Sequence, residues 1–212
     1  MDTTIFDASR PIALRLPGPN GCRTIHVRYP SDDEWIDRQR RRKVLTKQLG
    51  RGQSETTIVN REDADAVLMA KIRTEENEPE TDPFEAVKLI EELATCDVDD
   101  VVAAGEGFRI TTRVLGAVTA HVLKMPSAKD TFEFRRGFAR VIDMQYGRTE
   151  ATVNLAPVGA MYKKLLISTE GYVDNVVPII HQAVAVRAAI DAIDTVFAED
   201  RDSFPPASPM AQ

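Results

Sequence analysis

The sequence predicts an α+β protein made of two copies of a hairpin–helix–strand–helix–helix module. Three observations predict it: an internal repeat, strand-like alternation of apolar residues, and helices that begin at capping signals. The segment that begins at Thr24 matches the segment that begins at Thr119, an offset of 95, and later matches keep offsets between 94 and 97. So small a variation indicates a tandem duplication with single-residue insertions and deletions. The alternative is two ordinary α+β stretches that share an order of elements.

Each copy begins with a β-hairpin. In the first copy, apolar and polar residues alternate along Ile12 to Leu16 and again along Cys22 to Arg28, on either side of the turn sequence PGPNG. The second copy has the same pattern in Phe108 to Val114 and Val118 to Lys124. Alternation with a period of two is typical of a strand with one buried face.

A capped helix follows each hairpin. Ser31 and Ser127 come directly after a proline and can accept a hydrogen bond from the first turn of a helix. Ser31 and Glu34 have the spacing of a capping box. Glycine favours the left-handed conformation that ends helices, so we expect these two helices to end at Gly50 and Gly147.

A short strand and two helices complete each copy. The strands are expected in the sequences SETTIV and TEATVN. The helices are expected at Glu62 to Arg73, Pro83 to Thr95, Ala156 to Ser168 and Val176 to Phe197. The predicted division is therefore residues 1–98, residues 99–200 and a disordered tail of residues 201–212, with an acidic, turn-rich stretch between the copies.

Composition limits the functional class. The 212 residues carry 27 Lys and Arg against 33 Asp and Glu, a net charge of −6, and 43% of them are hydrophobic. A packed core is expected, whereas extensive coating of nucleic acid is not. The start of the chain lacks a basic region followed by an apolar run, so we expect a cytoplasmic protein with no membrane association.

The basic run RQRRRK is the first candidate for binding. It includes Arg38, Arg41 and Arg42, one turn after Trp35. Arginines could hold phosphates and the indole could stack on a base, as in a nucleic-acid-binding module. Acidic residues precede the run on the same helix and would repel a phosphate backbone, so a solvated helix face is the alternative.

No residue pattern points to catalysis. The chain lacks a phosphate-binding loop and a nucleophile elbow, and its two cysteines lie in apolar or acidic surroundings. His26, His121 and His181 could hold zinc only if the fold brought them together, because no pair has the spacing of ligands on one helix. We expect no enzyme activity, no metal and no cofactor.

The last helix carries the broadest apolar stripe. Its apolar residues recur at spacings of four and three, as in a heptad seam; those proposed to contact a partner are Ile179, Val186, Ile190 and Ile193. The interpretation that we prefer is a core helix buried against both copies. Alternatively, part of the stripe faces another subunit or a helix of another protein.

The repeated unit, TIHVRYPSDDEW and AHVLKMPSAKDTFEF, resembles the strand-to-helix entry of tail assembly chaperones of tailed bacteriophages and prophages. The resemblance covers about thirty residues of each copy. It implies a non-enzymatic cytoplasmic protein that shields apolar parts of a tail component before assembly. This chain departs from the family's usual shape because it is duplicated and has a hairpin in each half. The family provides no catalytic residues to assign here.

Together these patterns predict a chaperone-like phage-tail assembly protein whose partner is a tail component or a second copy of itself. A structural tail component retained in the virion is the first alternative. A nucleic-acid-binding module that uses Arg38 to Lys43 is the second.

Overall fold

The computed structural model describes residues 5–18, 21–50, 53–74, 82–144 and 148–202. These residues form six α-helices and ten strands in three antiparallel sheets. The α+β class predicted from the sequence is therefore confirmed. The tail expected at residues 201–212 lies almost wholly outside the described residues.

The first half contains four strands and three helices. They are β1 (Ile12–Gly18), β2 (Gly21–Val27), α1 (Asp32–Arg41), β3 (Lys43–Gly50), β4 (Gln53–Val59), α2 (Arg61–Ile72) and α3 (Pro83–Ala94). Both predicted elements of the first hairpin are present, and α2 and α3 lie within one residue of their predicted bounds.

The second half contains six strands, three helices and a short 3-10 turn. They are β5 (Asp97–Ala104), β6 (Gly107–Val114), β7 (Ala117–Lys124), α4 (Ala128–Phe138), β8 (Ala139–Met144), β9 (Arg148–Val153), α5 (Ala156–Leu165), β10 (Leu166–Glu170), the turn Val173–Asn175 and α6 (Ile179–Asp202). Both halves follow the order hairpin, helix, hairpin, two helices. The second half adds β5 in front and β10 between its last two helices. The tandem duplication itself stays a prediction.

The first helix of each half is shorter than predicted. Helix α1 ends at Arg41 rather than at Gly50, because Lys43–Gly50 forms the strand β3. Helix α4 ends at Phe138, and β8 follows directly. The physical reason is pairing, since β3 hydrogen-bonds to β4 on one side and to β9 on the other. Gly147 lies outside the described residues.

The strand orders show how the halves are joined. A two-stranded sheet pairs β1 with β2, and the central sheet has the order β10-β7-β6-β5. The third sheet, here called the bridging sheet, has the order β4-β3-β9-β8 and takes two strands from each half. The division predicted after residue 98 falls inside β5, so the acidic stretch expected as a loop is a paired strand.

Helix α6 packs against both halves. It contacts α1 from the first half and α5, β5 and β6 from the second. At its start, the Ile179 amide donates a hydrogen bond of 2.8 Å to Asp32 Oδ1 of α1. Its role as a core helix is confirmed. No helix in the described part of the chain combines the length and the apolar character needed to cross a bilayer.

Both predicted serine caps are present, and each forms a capping box. Glu34 N donates to Ser31 Oγ at 3.4 Å, and Asp130 N donates to Ser127 Oγ at 3.2 Å. In return, the Glu34 and Asp130 carboxylates accept from the amides of Ser31 and Ser127. The two boxes fix the starts of α1 and α4 at matching places in the two halves.

We expect Ser31→Ala and Ser127→Ala each to lower the free energy of unfolding by about 1 kcal/mol, because each leaves an amide of the first helical turn without its acceptor. Urea denaturation measures this loss. Ser54→Ala, at an exposed position on β4, is the matched control and should change the free energy by less than about 0.5 kcal/mol. Equal effects at all three serines would argue against the capping role.

Candidate protein-binding site

Two arginines of the basic run, Arg38 and Arg42, lie in an ion cluster between three helices. Arg38 is 1% exposed; its Nε donates to Asp65 Oδ1 at 2.7 Å and its Nη1 donates to Glu91 Oε1. Arg42 Nη1 also donates to Glu91 Oε1, at 3.1 Å. Arg61 lies 3.6 Å from Glu91 Oε2 and 3.7 Å from Asp65 Oδ2. This arginine cluster joins α1, which carries Arg38, to α2 and α3.

The arginines of this cluster change the pKa of Glu91. Burial alone would raise the pKa of the Glu91 carboxyl. The hydrogen bond and charge of Arg38, with the charges of Arg42 and Arg61, outweigh burial and lower that pKa. The carboxylate therefore stays charged and matched to the arginines at neutral pH. Arg38 and Arg42 hold helices together and are not free to bind phosphate.

Trp35 is also part of the interior. The indole is 1% exposed, and the Arg38 guanidinium lies 5.5 Å from its ring centroid. A buried ring cannot stack on a base or reach a partner, so the assignment of Trp35 and Arg38 as partner-binding residues is wrong in this fold. Arg41 is exposed, and its Nε pairs with Asp37 Oδ2 at 3.1 Å.

The apolar residues assigned to a partner on α6 are buried as well. Ile179, Val186, Ile190 and Ile193 are each less than 10% exposed and belong to the core. They contact the protein's own elements, and their assignment as partner-binding residues is corrected accordingly. The side chain of Phe197, the last residue of the predicted seam, lies outside the described residues.

Two of the three histidines meet in a buried network with tyrosines. Tyr172 Oη lies 3.2 Å from His121 Nε2 and 3.3 Å from His181 Nδ1, so one hydroxyl bridges both rings. His121 Nδ1 lies 2.8 Å from Tyr162 Oη. On the far side, His181 Nε2 lies 2.8 Å from the Ala94 carbonyl oxygen, at the end of α3.

We call these side chains the His–Tyr network. Both imidazoles have no exposed surface. Burial lowers the pKa of each to about 4, with a further contribution at His121 from the nearby His181. Both rings are therefore neutral at pH 7, and His181 donates its Nε2 hydrogen to the Ala94 carbonyl. The network connects α3 of the first half to β7, α5 and α6 of the second.

The third histidine lies elsewhere. His26 is exposed on β2, whereas the other two are in the interior. Among the described residues, no group of three or more His, Cys, Asp and Glu side chains is placed to hold a metal ion. The geometry that a three-histidine zinc site would need is therefore not formed by these residues.

Helix α4 carries the most exposed large apolar side chain of the described residues. Phe132 is 66% exposed, and none of the eleven residues of α4, all of them described, is fully buried. Phe134 and Phe138 stack with ring centroids 5.2 Å apart and pack against the edge of the core. Phe132 and Phe134 are two residues apart, so they point to different sides of the helix and cannot both face the core.

A groove of about 200 Å³ runs between α4 and α5. Its lining includes Phe134, Pro157, Met161, Asp130, Glu133 and Lys164. Lys164 Nζ pairs with Asp130 Oδ1 at 2.6 Å and closes one part of the rim. The helices approach closely at Gly137, where a Cβ would lie 3.1 Å from Pro157 Cγ. An apolar floor with a mixed-charge rim is the usual anatomy of a protein-binding surface.

Sequence reasoning missed this groove, although its signal was present. The signal is the sequence AKDTFEFRRGF, in which Phe132, Phe134 and Phe138 fall within seven residues of one helix. Comparison with known proteins finds no matching family model, no matching curated protein and no matching solved structure.

Proposed function

We propose that this chain is a non-enzymatic assembly protein that binds an apolar segment of another protein on the exposed side of α4, which carries Phe132. The observation that carries the proposal is the 66% exposure of Phe132 on a helix with no fully buried residue. The resemblance of the strand-to-helix units to tail assembly chaperones suggests the partner class, a component of a bacteriophage tail.

Phe132 is suited to act as an anchor for a partner. Complete burial of a phenylalanine side chain contributes about 1.5–3 kcal/mol, and aromatic anchors surrounded by a polar rim dominate many interfaces. The α4–α5 groove, lined by Phe134 on the other side of α4, adds an open apolar surface that suits the apolar face of a helix. Glu133 and the Lys164–Asp130 pair offer charges of both signs at the rim.

The nucleic-acid alternative loses its main support in this fold. It relies on Trp35 and on Arg38 to Lys43. Trp35 and Arg38 are buried, and Arg42 pairs with Glu91. The net charge of −6 adds a repulsion that phosphate contacts would have to overcome. The structural tail component remains the closer alternative, because it would use the same exposed side of α4.

The test is co-purification of tagged chain with tail polypeptides from cells that express a phage tail gene cluster. We expect Phe132→Ser to weaken retention of the tail polypeptide by roughly tenfold to a hundredfold, since each 1.4 kcal/mol is a factor of ten. Its urea midpoint should match that of the unsubstituted chain, because Phe132 is exposed. Val176→Ser removes another apolar side chain, 61% exposed and outside α4, and should retain binding.

Recovery of no tail polypeptide, or equal retention by both variants, would contradict the proposal. Detection of the chain in purified particles would favour a structural component, whereas its presence only in assembling cells would favour a chaperone.

A further inference from the structure

We propose that copies of this chain join edge to edge through the bridging sheet, with β8 of one copy paired antiparallel to β4 of the next. This surface is separate from the α4–α5 groove, and the inference does not depend on the proposed function.

The first argument is topological. Within the chain, the junction between the halves pairs β3 with β9 antiparallel, and Val44 faces Ala151 while Lys47 faces Arg148. This junction joins the first strand of the hairpin β3-β4 to the second strand of the hairpin β8-β9. The strands left with one neighbour each in the described sheet are β4, a second strand, and β8, a first strand. Pairing β8 with the next copy's β4 therefore repeats the existing junction.

The strand directions allow this continuation. Neighbours in the bridging sheet are all antiparallel, so directions alternate along the order β4-β3-β9-β8. If a second copy is shifted along the sheet and rotated by the sheet twist, its β4 lies beside β8 of the first copy. The strand directions then continue to alternate. This contact is head to tail, and such contacts generate closed rings or open filaments.

The second argument comes from how the sheet edges are protected. The central sheet ends on β5, which carries three aspartates and a register shift between Val98 and Asp100. Its other edge, β10, has only five residues and a shift between Leu166 and Ser168. Charges, bulges and short length are the usual devices that stop edges from pairing with another chain.

The edges of the bridging sheet carry fewer of these devices. Strand β4 reads QSETTIV, with a single charge and a run of β-branched residues, and Ser54 to Thr57 are exposed on both faces. Its pairing with β3 shifts register only at the end of the hairpin, between Gln48 and Gly50 of β3. Strand β8 reads ARVIDM, with one arginine and one aspartate, and pairs with β9 in regular register over its whole length. Neither β4 nor β8 contains lysine or proline. Edges with a regular backbone on one sheet, beside edges with register shifts on another sheet of the same chain, point to an edge that is used.

The repeat also predicts the register. Val141 occupies the place of Val44, at the offset of 97, and Ile58 occupies that of Ala151, because Val44 faces Ile58 in the first hairpin as Val141 faces Ala151 in the second. By analogy with the pair Val44 and Ala151, Val141 of one copy should face Ile58 of the next. In one chain these positions lie on opposite edges, about 14 Å apart at about 4.8 Å per strand spacing, so they cannot crosslink internally.

Disulfide crosslinking of full-length chains tests the pairing. In a Cys22→Ser background, a mixture of Ile58→Cys chains and Val141→Cys chains should form covalent heterodimers under mild oxidation. Each variant alone should remain monomeric on a denaturing gel, and a chain with both substitutions should give a ladder. Val102→Cys, on the protected edge β5, replaces Ile58→Cys in the matched control and should give no adduct with Val141→Cys.

Other results would overturn the proposal. Crosslinks in either variant alone would show symmetric pairing of like edges. Sedimentation as a monomer at every concentration, without heterodimers in the mixture, would show that these edges stay unpaired.

Discussion

Acidification from pH 7 to pH 4.5 should lower the free energy of unfolding by roughly 5 kcal/mol through the His–Tyr network. Burial holds the pKa of His121 and His181 at about 4 in the folded chain, against the ordinary value of 6.5. Between pH 4 and pH 6.5 the unfolded chain binds more protons than the folded chain, so the free energy of unfolding falls as the pH falls. The contribution of the two histidines is fully present above about pH 6.5. One pKa unit corresponds to about 1.36 kcal/mol for each ring.

Urea denaturation at several pH values measures this dependence. Near pH 5 the slope should approach two protons, about 2.7 kcal/mol per pH unit. Measurements should stay above pH 4.5, because below it the unfolded chain also protonates carboxylates such as Glu34. The Arg28 hydrogen bonds outweigh the opposing effect of burial and hold the pKa of Glu34 at about 2.

Substitutions assign the slope to the network. His121→Gln and His181→Gln should each halve it, and should also lower stability at pH 7 because they disturb the tyrosine hydrogen bonds. His26→Gln removes an exposed imidazole and should retain the full slope. A slope below one proton in the unsubstituted chain would count against a neutral, buried pair.

Asp65→Ala is expected to be the most damaging single substitution in the arginine cluster. It removes the buried acceptor of Arg38 Nε and leaves a 1% exposed guanidinium without that partner. Removing one member of a buried ion pair costs about 3–5 kcal/mol, because the other charge stays desolvated and uncompensated. Thermal and urea unfolding both measure the loss.

The reverse experiment separates charge from packing. Arg38→Met combined with Asp65→Leu removes both charges and should recover most of the stability that Asp65→Ala loses. Asp37→Ala is the matched control, because Asp37 pairs with Arg41 and Lys71 at the surface. It should cost less than about 1 kcal/mol. Equal costs for Asp65→Ala and Asp37→Ala would mean that the cluster contributes little.

Local signals in the sequence were sufficient for much of the fold. Alternation predicted the hairpins β1-β2 and β6-β7, and serine followed by an acidic residue predicted the starts of α1 and α4. These features depend on residues only a few positions apart. The wrong bounds arose where strand pairing decides: Lys43–Gly50 pairs over its length with β4, and Val44 to Lys47 also pair with β9, about a hundred residues later.

The candidate site was harder to predict for the same reason. The run RQRRRK looked solvent-facing because its acidic partners, Asp65 and Glu91, are far away in the sequence. The apolar spacing in α6 correctly predicts a core helix. The same residues cannot also contact a partner, because the protein's own elements bury them. For α4, the close spacing of Phe132 and Phe134 was the available signal, and only the packing shows which ring is left outside.

The pairing of β3 with β9 also sets an order of events during synthesis. Lys47 leaves the ribosome long before Arg148, which lies opposite it in the sheet. Until β9 emerges, the outer backbone groups of the β3-β4 hairpin have no strand to pair with. The Asp32 carboxylate likewise lacks its donor, the amide of Ile179. Nascent chains are therefore exposed to misassembly for most of translation, and shortening at the carboxyl end should leave the first half unable to complete its fold.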